Sequence, residues 1–263
     1  KLDEKIRRKT HLENALRKST MRNEDFYLCF QPKVDLQTNT IKGLETLLRW
    51  KPAFGNIKPN EFIPILEETG LIVEVGEWVL LNACLQCRRW NDLGFNVTMA
   101  VNISARQLKE EGFDRLVKKA LEISNLNPEY LELELTESIM FDVTESTEIL
   151  RNIKKLGVKI AIDDFGIGFS SLNVVKNYDI DNLKSDQSFL YDVIKNANKK
   201  TEIILKSLLD IGKKLGTEVI VEGIETKEQE KFLKPLGVIG QGYYYSKPIP
   251  AKAMEQYLKE HYS

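Results

Sequence analysis

Short β-type runs alternate with longer segments of helical periodicity along almost the whole chain. Such alternation is typical of a parallel sheet whose strands are connected by helices. Eight strand candidates predict an α/β fold of the TIM type, a closed (β/α)8 barrel. An open doubly wound sheet is disfavoured because no glycine-rich phosphate or dinucleotide motif occurs early in the chain. The predicted strands are 27–31, 41–48, 98–104, 131–136, 158–163, 182–186, 218–222 and 239–245, and the main predicted helices are 77–92, 105–123, 144–156, 201–215 and 227–236.

Histidine chemistry is disfavoured because the only two histidines, His11 and His261, lie near the termini. Ser-His-Asp and Cys-His devices need a histidine inside the fold, as do the common zinc and non-haem iron sites. The net charge of −1 provides no global field for a nucleic acid polymer. No apolar run approaches the roughly 20 residues that span a bilayer. We therefore expect a cytoplasmic protein, or the cytoplasmic part of a larger one, that uses carboxylates, lysine or an oxygen-ligated cation.

Acidic and amide side chains recur at the predicted carboxyl ends of the strands, where barrel active sites are built. In the fourth strand, alternation places Glu132 and Glu134 on one face and leucines on the other, so Glu134 is expected to point into the barrel. The residues of this kind, in strand order, are Glu45, Asn102, Glu134, Asp163, Asp164, Asp186, Glu222, Glu225 and Gln241.

A ring of oxygen ligands without histidine or thiolate suits Mg²⁺ or Mn²⁺. The adjacent Asp163 and Asp164 suit two ions that share one carboxylate. Arg49 and Lys184 near this ring favour a phosphate-bearing substrate. The set predicts metal-assisted hydrolysis of a phosphodiester. Each signal taken alone also fits a plain structural role, such as a helix cap or a solvated strand end, so the prediction depends on the repetition over seven strands.

Seven ordered motifs resemble those of the EAL-domain cyclic di-GMP phosphodiesterases, over about residues 11 to 263. They are Glu45-Thr-Leu-Leu-Arg49, Val101-Asn-Ile-Ser104, Glu134-Leu-Thr-Glu137, Asp163-Asp-Phe-Gly-Ile-Gly168, Leu183-Lys-Ser-Asp186, Val221-Glu-Gly-Ile-Glu225 and Gln241-Gly-Tyr243. The resemblance implies a TIM-type barrel whose first strand is antiparallel to the others. It also implies hydrolysis of cyclic di-GMP to linear pGpG.

The resemblance further implies a role for each site residue. The metal ligands, for two ions of Mg²⁺ or Mn²⁺, would be Glu45, Asn102, Glu134, Asp163, Asp164 and Glu222, with Asp163 shared. Lys184 would contact the attacking water, Glu222 or its metal-bound water would supply the base function, and Gln241 would place the water or the substrate. Gln31 and Arg49 would hold the dinucleotide, with Asp186 in support. Glu137 would anchor the loop from Asp164 to Ser171, which in this family connects to dimerisation, and Glu225 would support the site.

Two departures from the family pattern keep an alternative open. Ile167 replaces the usual threonine after the aspartates, and the segment before Gln241 is one residue short. The alternative is a degenerate receptor that binds cyclic di-GMP without cutting it, and a third hypothesis is an unrelated metal-dependent barrel enzyme. Because every expected metal ligand and the lysine are present, we favour the active enzyme.

The first 22 residues form a basic segment with near-helical apolar spacing. We interpret residues 1–12 as a linker or lead-in helix from an upstream sensory or GGDEF-type domain, and residues 13–263 as the phosphodiesterase domain. A homodimer is the expected assembly.

Overall fold

Eight strands of the protein close into a barrel. The computed structural model describes residues 2–22, 24–141, 147–166 and 178–261. The strand order is β2-β3-β4-β5-β6-β7-β8-β1, and β1 pairs back with β2, while β9 extends from β1. The strands are β1 (Phe26–Asp35), β2 (Thr40–Trp50), β3 (Thr98–Asn102), β4 (Leu131–Thr136), β5 (Lys159–Phe165), β6 (Asn182–Ser185), β7 (Glu218–Val221), β8 (Ile239–Gln241) and β9 (Ile249–Pro250).

The first strand runs against its neighbours. β1 is antiparallel to both β2 and β8, whereas β2 to β8 are parallel, each to the next. The local cause is a tight turn between β1 and β2, where Asp35 Oδ1 accepts the backbone N–H of Gln37 at 2.8 Å. Asn39 takes a left-handed φ of 59° in this turn. A hairpin joins antiparallel strands, whereas a helical crossover joins parallel ones. The predicted barrel and its antiparallel first strand are both confirmed.

Helices surround the barrel, and several predicted segments differ in their bounds from the observed ones. The predicted helix 105–123 is interrupted at Gly112, whose φ of 83° is left-handed. The predicted strand 239–245 ends at Gln241, because the chain then turns. The helices are α1 (Leu2–Arg22), α2 (Pro59–Thr69), α3 (Ile72–Asp92), α4 (Ala105–Leu108), α5 (Phe113–Ser124), α6 (Glu137–Phe141), α7 (Thr147–Lys155), α8 (Gln187–Lys195), α9 (Lys199–Leu215), α10 (Lys227–Leu233) and α11 (Ala251–His261).

The hydrophobic core lies between the strands and the helices, and part of the barrel interior is polar. In β4 the buried leucines pack in the main apolar cluster together with Trp50 and Trp90. Glu132 and Glu134 on the same strand are also buried, at 1% exposure each, but they contact lysines. This separation leaves the inner face of the strands free to carry charged groups.

The N-terminal helix α1 is packed against the barrel domain. Its Leu12 and Leu16 are buried in the main core, and Arg8 forms a salt bridge with Glu61 of α2. The helix continues through residue 12 without a break. The division between a linker ending at residue 12 and a domain beginning at residue 13 therefore stays a prediction.

We expect Leu16→Ala to lower the free energy of unfolding by about 2–5 kcal/mol, because it removes a buried side chain from the core. The matched control is Met21→Ala on the same helix, where the side chain is 84% exposed. Its effect should stay within about 0.5 kcal/mol. Urea unfolding of the two variants and the wild type measures the difference. Equal midpoints for both variants would show that α1 contributes nothing to the core.

No single helix in the described ranges is long and apolar enough to cross a membrane. Two consecutive helices, α2 and α3, reach such a length and hydropathy only when taken together, and they meet at a bend of 119°.

Candidate active site

The predicted site residues come together at one end of the barrel because the parallel strands end there. Glu45 lies within β2, and Glu222 directly follows β7. The register pairs Asn102 with Glu134 across β3 and β4, and Thr136 with Asp163 across β4 and β5. Inward-facing positions on neighbouring strands therefore stand side by side at this end.

The centre of the site is the ammonium group of Lys184, which is fully buried. Its Nζ lies 2.8 Å from Glu222 Oε1 and 2.9 Å from Glu134 Oε2. Asp163 Oδ1 is at 3.3 Å and Glu45 Oε2 at 3.7 Å. Four of the predicted metal ligands thus surround the predicted catalytic lysine.

Glu45 is held by two amide side chains. Asn102 Nδ2 donates to Glu45 Oε1 at 2.8 Å, and Gln241 Nε2 donates to Glu45 Oε2. Gln241 Nε2 also donates to Gln31 Oε1 at 3.2 Å. The buried Gln241 Oε1 has no hydrogen-bond partner among the described residues. An acceptor is therefore left over at a residue that lines the cleft.

The glycine after Gln241 lets the chain beyond β8 pass close to the loop that follows β7. A Cβ at Gly242 would lie 2.1 Å from the backbone oxygen of Ile224. Only glycine fits there without moving the main chain, which explains why the Gln-Gly pair ends β8.

The electrostatics of the site reflect an excess of acid. Burial, and then the nearby Asp163 and Glu45, raise the pKa of Glu222 to about 7 in spite of Lys184. Burial also raises the pKa of Glu45. For Glu134 burial acts in the same direction, but Lys184 and Lys33 outweigh it and lower its pKa to about 2. The environment therefore favours the ionised form of Glu134 and disfavours the ionised forms of Glu45 and Glu222.

Asp164 occupies a strained position beside the cluster. Its φ of 56° is left-handed, which is uncommon for a residue with a side chain, and its N–H donates to Asp163 Oδ1 at 2.9 Å. Burial raises the pKa of its carboxyl, and Asp163 and Asp186 act in the same direction.

The side chains of the cluster are of the chemical types that bind a hard divalent cation. Five buried or partly buried carboxylates, those of Glu45, Glu132, Glu134, Asp163 and Glu222, face two lysines, which leaves three negative charges in excess when all are ionised. All the donors are oxygens, as Mg²⁺ and Mn²⁺ prefer. Within the described ranges no three histidine, cysteine or acidic side chains are arranged as a metal site. The ammonium of Lys184 stands between the carboxylates.

Two adjoining cavities open at this end of the barrel and share Leu47. The first, of about 420 Å³, is polar and is lined by Gln31, Glu45, Asp163, Glu222, Glu225, Gln241 and Tyr243 among others. The second, of about 490 Å³, is more apolar and is lined by Arg49, Asn102, Ser104 and side chains of α2 and α3. The acidic cluster therefore lies next to an apolar pocket that is lined by the guanidinium of Arg49.

The predicted substrate-binding residues are placed at three different points. Gln31 Nε2 donates to the backbone oxygen of Ser246 at 3.1 Å, and Gln31 lines the acidic cavity. Arg49 lies within β2 instead of beyond its end, and it lines the apolar cavity. Asp186 is the N-cap of α8, where Oδ1 accepts the N–H of Ser188 at 2.8 Å.

The predicted anchoring residues lie at the rim of the site. Glu137 begins α6, and its Oε2 accepts the N–H of Gly166 at 3.4 Å, at the start of the predicted loop. Glu225 lines the acidic cavity just before the capping box of α10. The rest of that loop, including Ile167, lies outside the described residues.

Both histidines lie on outer helices. His11 of α1 stands against Phe54 at a ring-centroid distance of 4.8 Å, and His261 of α11 stacks on Tyr257 at 4.2 Å. These ring contacts give each histidine a packing role.

A buried polar layer lies below the cluster, and the sequence predicted the facing of only one of its residues, Glu132. It consists of Lys33, Glu132 and Asn182. The sequence contained a signal for this layer, because each of its residues stands two positions from a predicted site residue on the same strand. Side chains two positions apart share one face of a strand. The predicted site residues are, in the same order, Gln31, Glu134 and Lys184.

Comparisons with known proteins give consistent results. The family model of the EAL domain matches residues 13–248. The chain is 36% identical to the cyclic di-GMP phosphodiesterase PdeR of Escherichia coli, covering 95% of this chain and 38% of that protein. It is 38% identical to signaling protein YkoW of Bacillus subtilis, covering 96% of this chain and 32% of that protein. The chain therefore spans about a third of the length of such relatives.

Solved structures agree with this grouping. The MucR phosphodiesterase in complex with c-di-GMP superposes with a TM-score of 0.87 at 38% identity, covering 93% of this chain and 99% of that one. The FimX EAL domain of Pseudomonas aeruginosa bound to c-di-GMP superposes with a TM-score of 0.82 at 25% identity, covering 90% and 96%. With the fold, the strand-end residues and the sequence match in agreement, the chain belongs to the EAL domain family.

Proposed function

We propose that this chain hydrolyses cyclic di-GMP to linear pGpG with two divalent cations, Mg²⁺ or Mn²⁺. The observation that carries the proposal is the convergence of Glu45, Glu134, Asp163 and Glu222 on the buried Lys184. Support also comes from the names of the relatives, since PdeR and MucR are named as cyclic di-GMP phosphodiesterases.

The residues that would hold the cations are Glu45, Asn102, Glu134, Asp163, Asp164 and Glu222, with Asp163 shared. When bound, the ions supply Lewis acidity at the phosphate and lower the pKa of the attacking water. Lys184 would offset the charge that develops as the P–O bond to the 3′ oxygen breaks. Glu222, at the mouth of the cluster, takes the proton from the attacking water, while the leaving 3′ oxygen gains one from solvent.

The two cavities would bind different parts of the substrate. Arg49 offers a planar guanidinium that can pair with a phosphate through two hydrogen bonds. The free Oε1 of Gln241 is an acceptor that can orient a water or a substrate hydroxyl. The apolar walls around Arg49 suit a purine base. This arrangement fits an anionic molecule with flat apolar ends, as cyclic di-GMP is.

The test is to incubate the purified chain with cyclic di-GMP and either ion, and to follow pGpG by chromatography. We expect turnover that a chelator stops and that added Mg²⁺ or Mn²⁺ restores. Tight binding without any product would reject the enzyme in favour of the second candidate, a cyclic di-GMP receptor. The observation that favours this candidate is the short segment before Gln241. The FimX EAL domain shows that a barrel of this fold can bind c-di-GMP.

We also propose that the chain works as part of a longer protein and as a homodimer. The relatives are about three times as long, and MucR is named as a bifunctional diguanylate cyclase and phosphodiesterase. An upstream sensory or GGDEF-type domain would connect through α1. Light scattering of the purified chain tests the dimer, and a monomer at every concentration would reject it.

A further inference from the structure

Lys33 is a buried lysine of β1 that no step above uses. Its side chain is 4% exposed, and its Nζ lies 2.6 Å from Glu132 Oε1 and 2.7 Å from Glu134 Oε1. Burial opposes its charge, but these two glutamates raise the pKa of Lys33 above its usual range. An ammonium group is therefore held inside the barrel, directly beneath the acidic cluster.

The two oxygens of Glu134 are held by different lysines. Oε1 accepts from Lys33, whereas Oε2 accepts from Lys184 at 2.9 Å. The carboxylate is thus fixed against rotation about its last bond. Oε2 is the oxygen that borders the cluster.

The position of Lys33 follows from the direction of its strand. Residues 31 and 33 share the inward face of β1, and the register pairs Gln31 with Glu45 and Lys33 with Gly43. Because β1 runs against β2, Lys33 lies one step deeper in the barrel than Gln31. Glu132 is likewise two residues before Glu134 on β4.

The charge of Lys33 is matched within its own layer. Glu132 Oε1 accepts from Lys33, and Glu132 Oε2 accepts from Asn182 Nδ2. Barrel interiors are usually filled by branched apolar residues, and a buried ion pair is often no more stable than apolar residues of the same volume. Overall stability is thus a weak reason for this pair. Lys33 makes a second hydrogen bond, to Glu134 Oε1, and this bond connects Lys33 to the site.

We propose that Lys33 is a positioning residue, whose hydrogen bond to Glu134 Oε1 orients Oε2 toward the cation site and so sets the affinity for the divalent ion. Lys33 itself touches neither substrate nor reacting atoms. The inference rests on the proposed function, because it takes Glu134 to be a metal ligand. Mutation of a residue that orients a metal ligand typically lowers metal affinity or activity by about 10- to 100-fold.

The test removes the ion pair as a unit. Lys33→Met combined with Glu132→Leu leaves the net charge unchanged and leaves no donor at Glu134 Oε1. A second charge-neutral variant, Lys33→Met with Glu132→Gln, keeps an acceptor for Asn182 in case the first fails to fold. Titration with Mn²⁺ alone gives the affinity without substrate. Thermal unfolding without metal reports stability, and kcat and KM for cyclic di-GMP are measured separately.

We expect Mn²⁺ affinity to fall by about tenfold, and kcat at fixed Mn²⁺ to fall with it, while KM changes little. A purely structural role would shift the unfolding temperature and leave Mn²⁺ affinity alone. Affinity within twofold of wild type in either folded variant overturns the inference while the proposed function stands. If the wild type itself neither binds Mn²⁺ nor forms pGpG, the proposed function fails and this inference fails with it.

Discussion

Glu45→Gln is expected to lower the turnover of cyclic di-GMP by about 10³-fold while the protein stays folded. The replacement keeps the shape of the side chain and an oxygen that can accept from Asn102 Nδ2. It removes a buried negative charge, and burial is the main reason why the pKa of Glu45 is raised. Catalysis is lost because a neutral amide binds a divalent cation more weakly than the carboxylate that it replaces. Initial rates of pGpG formation measure the loss.

The matched control is Glu111→Gln, since the Glu111 side chain is 99% exposed. Its turnover should equal that of the wild type. Metal-free thermal unfolding should show Glu45→Gln to be at least as stable as the wild type, because burying a neutral amide costs less free energy than burying the carboxylate. Turnover of Glu45→Gln within tenfold of wild type would contradict the role given to Glu45.

Lys184→Met is expected to reduce both activity and stability. Methionine has nearly the same length but carries no charge, so Glu134, Glu222 and Asp163 lose their shared partner. Removing one member of a buried ionic network costs about 3–5 kcal/mol in the free energy of unfolding. Turnover should fall by about 10³-fold, because the contribution of Lys184 to offsetting the charge that develops at the phosphate is lost.

Added Mn²⁺ separates these two effects. In Lys184→Met the cluster has one more negative charge in excess, so the cation should raise the unfolding temperature of the variant more than that of the wild type. Lys118→Met is the control, because the Lys118 side chain is 61% exposed and its pair with Glu122 lies on the surface. An unchanged unfolding temperature for metal-free Lys184→Met would refute the account of the network.

The inward direction of Glu134 was predicted, whereas that of Lys33 was missed because the predicted first strand stopped two residues before it. In β4 leucine and glutamate alternate without a break, so the sequence assigns each residue type to one face of the strand. In the structure the leucines face the surrounding helices and the glutamates face the barrel interior. The first strand was predicted to end at Gln31, because Pro32 and the charged Lys33 are poor strand signals. The observed strand continues to Asp35, since pairing with β2 and β8 on both sides holds it in place.

Local sequence also failed to separate strand ends from helix starts. Asp186 was predicted in the sixth strand, but it caps α8 through the N–H of Ser188. The predicted helix 105–123 is broken because Gly112 takes a left-handed conformation that a helix interior does not allow. Both residues, Asp186 and Gly112, directly precede a helix as its N-cap.

The sequence by itself determined the order of the eight barrel strands, the all-oxygen character of the donor set and the strands that carry it. These properties are encoded locally, in period-2 alternation and in the residue types at strand ends. Only the tertiary structure decided that four carboxylates share one ammonium, and that a second lysine holds Glu134 from below. Such contacts join residues far apart in the chain, for example Gln241 and Glu45 at a separation of 196 positions. Barrel closure and strand register set those distances, and neither property is local to any segment.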